Sequence, residues 1–188
     1  MLELLAWLFF DWRTGILMLL LTVAAISDYR SQRIPNWLVL AGALFAVMYN
    51  TALPPTPHDN ILFPLAGLGL GLLLFLPLYL VRAMGAGDVK LLAMAGAFLG
   101  PGDTLYAALA TMIAGGVLAV VFVLMRGTAL RMLHNLVALF HFGFVSAAGS
   151  FKPNLQITVG ASAGKLPYGV AIAIGTIGYL VLHQLGFL

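Results

Sequence analysis

The chain has 188 residues, of which 62% are hydrophobic and 8% charged, whereas a soluble domain carries roughly 25% charged residues. This composition excludes an ordinary soluble domain and indicates that lipid is the solvent. The formal net charge is +3, but the basic residues stand singly beside apolar runs, which argues against a nucleic-acid-binding patch. The absence of cysteine excludes disulfides and a cysteine nucleophile.

The N-terminal part contains a short apolar segment, Leu4 to Phe10, followed by a predicted first span from Trp12 to Ser27. The short segment carries a tryptophan and is expected to lie in the membrane interface. Because acidic residues precede the first basic residue, Arg13, the N-terminus lacks the pattern of a cleaved signal peptide. We therefore expect the first span to be retained.

Five more apolar segments are predicted to be spans: Trp37 to Tyr49, Ile61 to Val81, Val89 to Leu99, Leu105 to Met125 and Leu166 to Leu185. The fourth is short for a full crossing at about 1.5 Å per residue, so its beginning is expected below the membrane surface. Asp103 and Thr104 supply a capping signal for the fifth span. The proline-rich stretch 51–57 predicts a loop between the second and third spans.

Residues 128–145 differ from the spans, because polar side chains recur there at helical spacing while large apolar residues fill the other faces. This pattern predicts an amphipathic helix lying on the membrane. Its histidines, His134 and His141, stand two turns apart, which is typical of a polar stripe and too far for easy chelation of one metal ion. The stretch from Gly149 to Lys165 is too polar to span and predicts a loop.

The predicted fold is therefore all-α: a single polytopic membrane domain over residues 1–188, with about six transmembrane helices plus an amphipathic interfacial helix. Six spans place both termini on the same side of the membrane. If that side is the outer one, the inner segments hold every lysine and arginine except Arg13. This asymmetry follows the positive-inside rule, so both termini are expected to be extracytoplasmic.

The same topology leaves Asp28 and Asp88 as the only carboxylates at the cytoplasmic ends of the spans. Each is joined directly to an apolar helix, so the two lie at comparable depth and can meet. An acid at that depth is costly and usually faces the bundle interior or a watery cavity. Two carboxylates held close share a proton, so that one serves as acid and the other as base. Such a pair can hydrolyse a peptide without a metal or a covalent intermediate.

Structural roles would also account for either acid taken singly. Asp28 can pair with Arg30 or Arg33, as boundary charges commonly do. Asp88 can cap the fourth helix, with Lys90 nearby. The occurrence of both acids together favours a functional pair.

Three passages resemble motifs of the type IV prepilin peptidases, membrane aspartic proteases of the G-x-G-D class. Residues 28–36 (DYRSQRIPN) are similar to the family's first aspartate with its arginine-isoleucine-proline-asparagine signature. Residues 85–90 (GAGDVK) are similar to its glycine-x-glycine-aspartate-x-lysine signature, and residues 166–169 (LPYG) resemble its late proline-aromatic-glycine motif. The passages also stand in the order that the family shows.

The resemblance implies that Asp28 and Asp88 are the catalytic pair of an intramembrane aspartic endopeptidase. Its substrates would be prepilins or pseudopilins, whose short basic leader is removed at the cytoplasmic face of the bacterial inner membrane. Substrate and membrane lipid are then the expected partners, with no nucleic acid, cofactor or metal. The chain lacks the paired-cysteine insertion of larger bifunctional members, so it resembles the short peptidases of Flp, tight-adherence pili, and N-methyltransferase activity is not expected.

The motifs also contribute residues that could bind substrate or shape the site. Gly85 and Gly87 let a substrate strand approach the backbone closely, although a tight turn into a helix would also use them. Lys90 could attract a substrate carboxylate or tune the aspartates, whereas a lysine at the inner interface commonly just snorkels.

Five further candidates come from the same motifs: Arg33, Pro35, Asn36, Pro167 and Tyr168. Arg33 could orient its loop, but an arginine there needs no role beyond topology. Tyr168 could line a substrate groove or serve as an ordinary interfacial anchor.

Two other classes of function remain open. A proton-coupled transporter also uses buried acids and glycine-broken helices, but its acids commonly lie near the midplane within inverted repeats, and this sequence shows neither feature. A noncatalytic component of pilus or secretion assembly would tolerate the loss of either aspartate.

Overall fold

The computed structural model describes residues 12–53, 60–81, 83–125 and 167–187, and within these ranges all regular structure is α-helical. The helices are α1 Trp12–Ser31, α2 Asn36–Ala52, α3 Leu62–Leu80, α4 Ala86–Leu99, α5 Pro101–Met125 and α6 Tyr168–Gln184. Each contains most of one predicted span, so the all-α class is confirmed for the described residues. The predicted interfacial segment 4–10, amphipathic helix 128–145 and loop 149–165 lie outside them.

The chain forms two compact units, one of residues 1–116 with 167–188 and one of residues 117–166. The first unit holds α1 to α4, the beginning of α5, and α6. The described part of the second unit is the end of α5, residues 117–125. That the chain makes a single domain stays a prediction.

Two helices, α3 and α5, are long and apolar enough to cross a membrane, with mean hydropathies of 2.0 and 2.5. Helices α2 and α6 are also apolar but shorter, with 17 residues each. In α3 the buried positions include Gly67 and Gly71, whereas large side chains such as Leu65 and Leu73 are exposed. Small residues at the interface and large apolar residues outside are typical of helices that pack in lipid. Six spans stay a prediction.

Helix α4 is the centre of the first unit, because every residue from Leu91 to Gly100 is buried. Its backbone touches that of α3. A Cβ added to Gly67 would collide with the carbonyl oxygen of Gly96, and one added to Gly71 would lie 2.7 Å from the carbonyl oxygen of Leu92. Only glycine therefore permits this approach of the two helices.

On another side of α4, the C-terminal turns of α2 hold it through a buried polar contact. The Asn50 amide donates from Nδ2 to the carbonyl oxygen of Ala97 at 2.7 Å. One turn earlier, the Phe45 ring stacks on Phe98 with ring centroids 6.0 Å apart. These contacts fix the position of α4 along the bundle.

The end of α1 differs from the predicted end at Ser27. The helix continues to Ser31 and stops where Gln32 adopts a left-handed conformation, with φ of 51°. The Gln32 N–H donates to the carbonyl oxygen of Asp28 at 2.8 Å, which satisfies one of the last helical carbonyl groups. Asp28 therefore lies within the helix and not after it.

The start of α5 also differs from the predicted one. The helix begins at Pro101, since a proline fits the first helical turn, so Asp103 lies inside that turn and does not precede it. The Asp103 carboxylate accepts a hydrogen bond from the Tyr179 hydroxyl of α6 at 2.9 Å. Asp103, predicted as part of a helix cap, thus joins α5 to α6 through this hydrogen bond.

Gly67→Ala is expected to destabilise the protein, because the added Cβ has to displace the Gly96 backbone. Overpacking of this kind costs roughly 1–3 kcal/mol. Gly69→Ala is the matched control on the same helix, where a Cβ meets no described atom within 4 Å. Thermal unfolding in detergent, followed by circular dichroism, should give a lower midpoint for Gly67→Ala alone. Equal midpoints would contradict the backbone contact between α3 and α4.

Candidate active site

Asp28 is a buried carboxylate near the end of α1, with 6% of its surface exposed. Its Oδ2 accepts a hydrogen bond of 2.7 Å from the backbone N–H of Gly169, in the first turn of α6. Among the described residues, Asp28 makes no salt bridge with Arg30 or Arg33, whose side chains are exposed. The boundary-charge role considered for Asp28 thus has no support in its contacts.

Asp88 is also buried, with 8% of its surface exposed, and lies in the first turn of α4. Its Oδ2 accepts a hydrogen bond of 3.0 Å from the N–H of Gly85, the residue that caps the helix. The capping role considered for Asp88 is therefore real. One carboxylate oxygen serves the cap, and a carboxylate has further acceptor capacity for a water molecule or substrate.

The two acids lie close enough for the charge of Asp28 to act directly on Asp88. They come from different helices, and neither has an arginine or lysine as its hydrogen-bond partner in the described residues. Two like charges in a buried setting do not ionise together easily. The arrangement therefore places two buried acids from separate helices in one region of the first unit.

The two sequence motifs that carry the acids are packed against each other. A Cβ placed on Gly87 would lie 3.3 Å from the Cβ of Ile34, so the glycine leaves just enough room for the isoleucine. Beside this contact, Lys90 donates from Nζ to Oδ1 of Asn36 at 3.4 Å. The stretches 33–36 and 85–90 therefore form one structural element around the acids.

The remaining candidates of the first motif shape the turn between α1 and α2. Pro35 precedes the first residue of α2 in an extended conformation, with φ of −63°. Arg33 has an exposed side chain, and its backbone carbonyl oxygen accepts a hydrogen bond from Ser27 Oγ at 2.9 Å. These contacts give the turn a structural role. Asn36 contacts the second motif through Lys90, whereas the Arg33 side chain is exposed.

Pro167 and Tyr168 lie at the start of α6. Pro167 is the capping position of the helix. The Tyr168 ring is half-buried and packs towards α5, where its Cε1 lies 3.6 Å from the Cβ position of Gly115. Tyr168 thus contacts a neighbouring helix.

A groove of about 390 Å³ opens beside the Asn36–Lys90 contact, between α2, α3 and α4. Its wall is otherwise apolar and consists of Val39, Leu40, Ala43, Leu68, Leu72, Ala93 and Met94. Lys90 thus lies at the edge of an apolar groove. A lysine whose aliphatic stem covers apolar surface while its ammonium group reaches water would have the same placement.

Two residues of the site were missed in the sequence. Gly169 acts through its backbone N–H, and Ile34 through its shape, so neither carries a chemical group that marks a functional residue. The signal available for both was their position inside a motif, since Ile34 stands between Asp28 and Asn36 and Gly169 follows Tyr168.

The comparison with protein families agrees with this geometry. The model of the type IV leader peptidase family matches residues 15–120, more than half of the chain. The matched region contains both acids but not α6. No curated protein and no solved structure shows a significant match to the chain.

The contact between the motifs predicts that a disulfide can join them. The cysteine-free chain allows the pair Ile34→Cys with Gly87→Cys to be introduced alone. The Cβ separation of 3.3 Å is near the roughly 3.5–4.5 Å of natural disulfides. Mild oxidation should therefore consume both thiols within one molecule, as read by thiol titration and non-reducing electrophoresis. Each single cysteine variant is the control, and free thiols in the oxidised pair would contradict the packing.

Proposed function

The chain belongs to the type IV leader peptidase family and is therefore a peptidase; from this premise we propose that Asp28 and Asp88 are the catalytic pair of an intramembrane aspartic endopeptidase. The observation that carries the proposal is that two buried carboxylates belong to motifs that pack against each other through Gly87 and Ile34. Each has one oxygen bound by a backbone N–H, and a carboxylate has acceptor capacity for more than one such bond.

In the proposed reaction, the ionised carboxylate removes a proton from water, and the oxygen of that water attacks the scissile carbonyl carbon. The protonated carboxyl group donates a hydrogen bond to the carbonyl oxygen as negative charge develops there. When the C–N bond breaks, the leaving amine takes up a proton, and the pair returns to its state with one shared proton. The water molecule is consumed, and the products are a new carboxyl terminus and a new amino terminus.

We propose prepilins or pseudopilins as substrates, cut at the cytoplasmic face of the bacterial inner membrane. The proposal is supported by the family and by the charge pattern, since every lysine and arginine except Arg13 falls on the inner side of a six-span topology. Both termini are then extracytoplasmic. Because the chain has no cysteine, it is proposed to act without N-methyltransferase activity, like the short peptidases of Flp pili.

Asp28→Asn and Asp88→Asn should each abolish cleavage of a co-expressed prepilin with a short basic leader. Each change keeps the shape of the side chain and removes the ionisable group, so the expected loss is about 100-fold or more. The measurement is the fraction of mature pilin in isolated membranes, resolved by electrophoresis and identified by mass. Asp103→Asn is the matched control, because its amide oxygen can still accept the Tyr179 hydroxyl and it lies outside the candidate site.

Cleavage by either Asn variant at the rate of the parent would show that the pair is not catalytic. If the parent itself cuts no prepilin but stays inserted and folded, the proposed substrate class is wrong. Retained pilus assembly with both acids replaced would favour the noncatalytic role instead.

The proposed topology predicts the accessibility of two introduced cysteines. Tyr29→Cys, at a position 76% exposed near the end of α1, should be shielded in intact cells from a membrane-impermeant maleimide. Gly102→Cys, at the start of α5, should react without permeabilisation. Both should react after the membrane is opened. The reverse pattern would overturn the orientation while leaving the catalytic pair untouched.

A further inference from the structure

The hydrogen bond between Gly169 and Asp28 joins the candidate site to a helix that lies beyond the matched family region, which ends at residue 120. The two residues are 141 positions apart, and the bond is buried at 2.7 Å. Among the described residues, the backbone donor that reaches the Asp28 carboxylate from another helix is the Gly169 N–H. Helix α6 therefore contributes to the orientation of the Asp28 carboxylate.

The position of Gly169 explains why its amide is available. Tyr168 is the first residue of α6, so Gly169 is in the first turn, where backbone N–H groups have no partner within the helix. The amide dipoles at this end also favour a negative charge. The Asp28 carboxylate satisfies one of these donors, and the donor in turn fixes one carboxylate oxygen.

The same position explains why the residue is glycine. A Cβ on residue 169 would lie 2.8 Å from Oδ2, 2.9 Å from Cβ and 3.0 Å from Cγ of Asp28. Two of these distances are below 3 Å and the third is 3.0 Å, so a side chain at this position would force the Asp28 side chain to shift. The close approach of α6 to Asp28 thus needs a residue without a side chain.

We propose that Gly169 is a positioning residue for the reaction: its N–H holds Oδ2 of Asp28 and leaves the other oxygen for water or substrate. The inference rests on the proposed function, because it concerns the orientation of a proposed catalytic group. It extends the active site to α6, which supplies a backbone amide and not a side chain.

Gly169→Ala should lower kcat about 100-fold with KM nearly unchanged, since a displacement of about 1 Å in a reacting group has an effect of that size. Gly178→Ala on the same helix is the matched control, because a Cβ there meets no described atom within 4 Å. It should keep kcat within about twofold. Equal losses in the two variants, or a rise in KM alone for Gly169→Ala, would overturn the proposal.

A backbone ester tests the effect of the hydrogen bond without changing the space that residue 169 occupies. Glycolic acid incorporated at position 169 by nonsense suppression replaces the N–H with an oxygen atom and adds no bulk. The acidic limb of the kcat profile should then move to higher pH, because the ionised form of Asp28 has lost a stabilising donor. Among the described residues, Asp88 of α4 is the titratable group that interacts with Asp28. As the control, the same ester at Gly178 should leave the acidic limb of the profile unmoved. An unshifted limb in the Gly169 ester would overturn the proposal.

A readout that needs no activity distinguishes this proposal from the proposed function. In protein labelled with ¹⁵N-glycine, the amide proton of Gly169 should move upfield in Asp28→Asn, because the acceptor loses its charge. It should not move in Asp103→Asn. If the parent cuts no prepilin and the Gly169 signal still shifts in Asp28→Asn, the bond is supported and only the proposed substrate class is refuted. If the parent is active and the Gly169 amide signal does not move in Asp28→Asn, the positioning role alone is refuted.

Discussion

The contact between the backbones of α3 and α4 is the constraint on which the rest of the first unit depends. Helix α4 is buried from Leu91 to its end, and a helix can be covered on all sides only if its neighbours come very close. Gly67, Gly71 and Gly96 make that approach possible, because each leaves room for a carbonyl group of the facing helix. In lipid there is no hydrophobic gain from bringing apolar helices together, so such close van der Waals packing has to supply the attraction.

The central position of α4 determines what kind of site can form at its start. Its first turn presents Asp88, which follows Gly87 and accepts a hydrogen bond from the N–H of Gly85. The end of α1 meets this turn because the short connection through Pro35 returns the chain directly into α2, which packs on α4. Two carboxylates are thus held by helix backbones whose relative position the core has already fixed.

The sequence was sufficient to predict the six described helices and the burial of the two acids, because both leave a local signal. Apolar runs bounded by glycine and proline predicted six helices, and all six are present with shifted ends. The end of α1 was misjudged because Asp28, Tyr29 and Arg30 are polar, while the actual stop is a left-handed Gln32. The part played by Gly169 could not be predicted, since a backbone amide is common to every residue but proline. What selects it is the distance to Asp28 in the folded chain.

The separation of Asp28 and Gly169 along the chain has a consequence for biosynthesis. The chain is synthesised from its N-terminus, so α1 and α4 are made before α6. Until then the chain has both carboxylates but lacks the amide that holds one of them. The arrangement described for Asp28 can therefore form only after residue 169 has been synthesised.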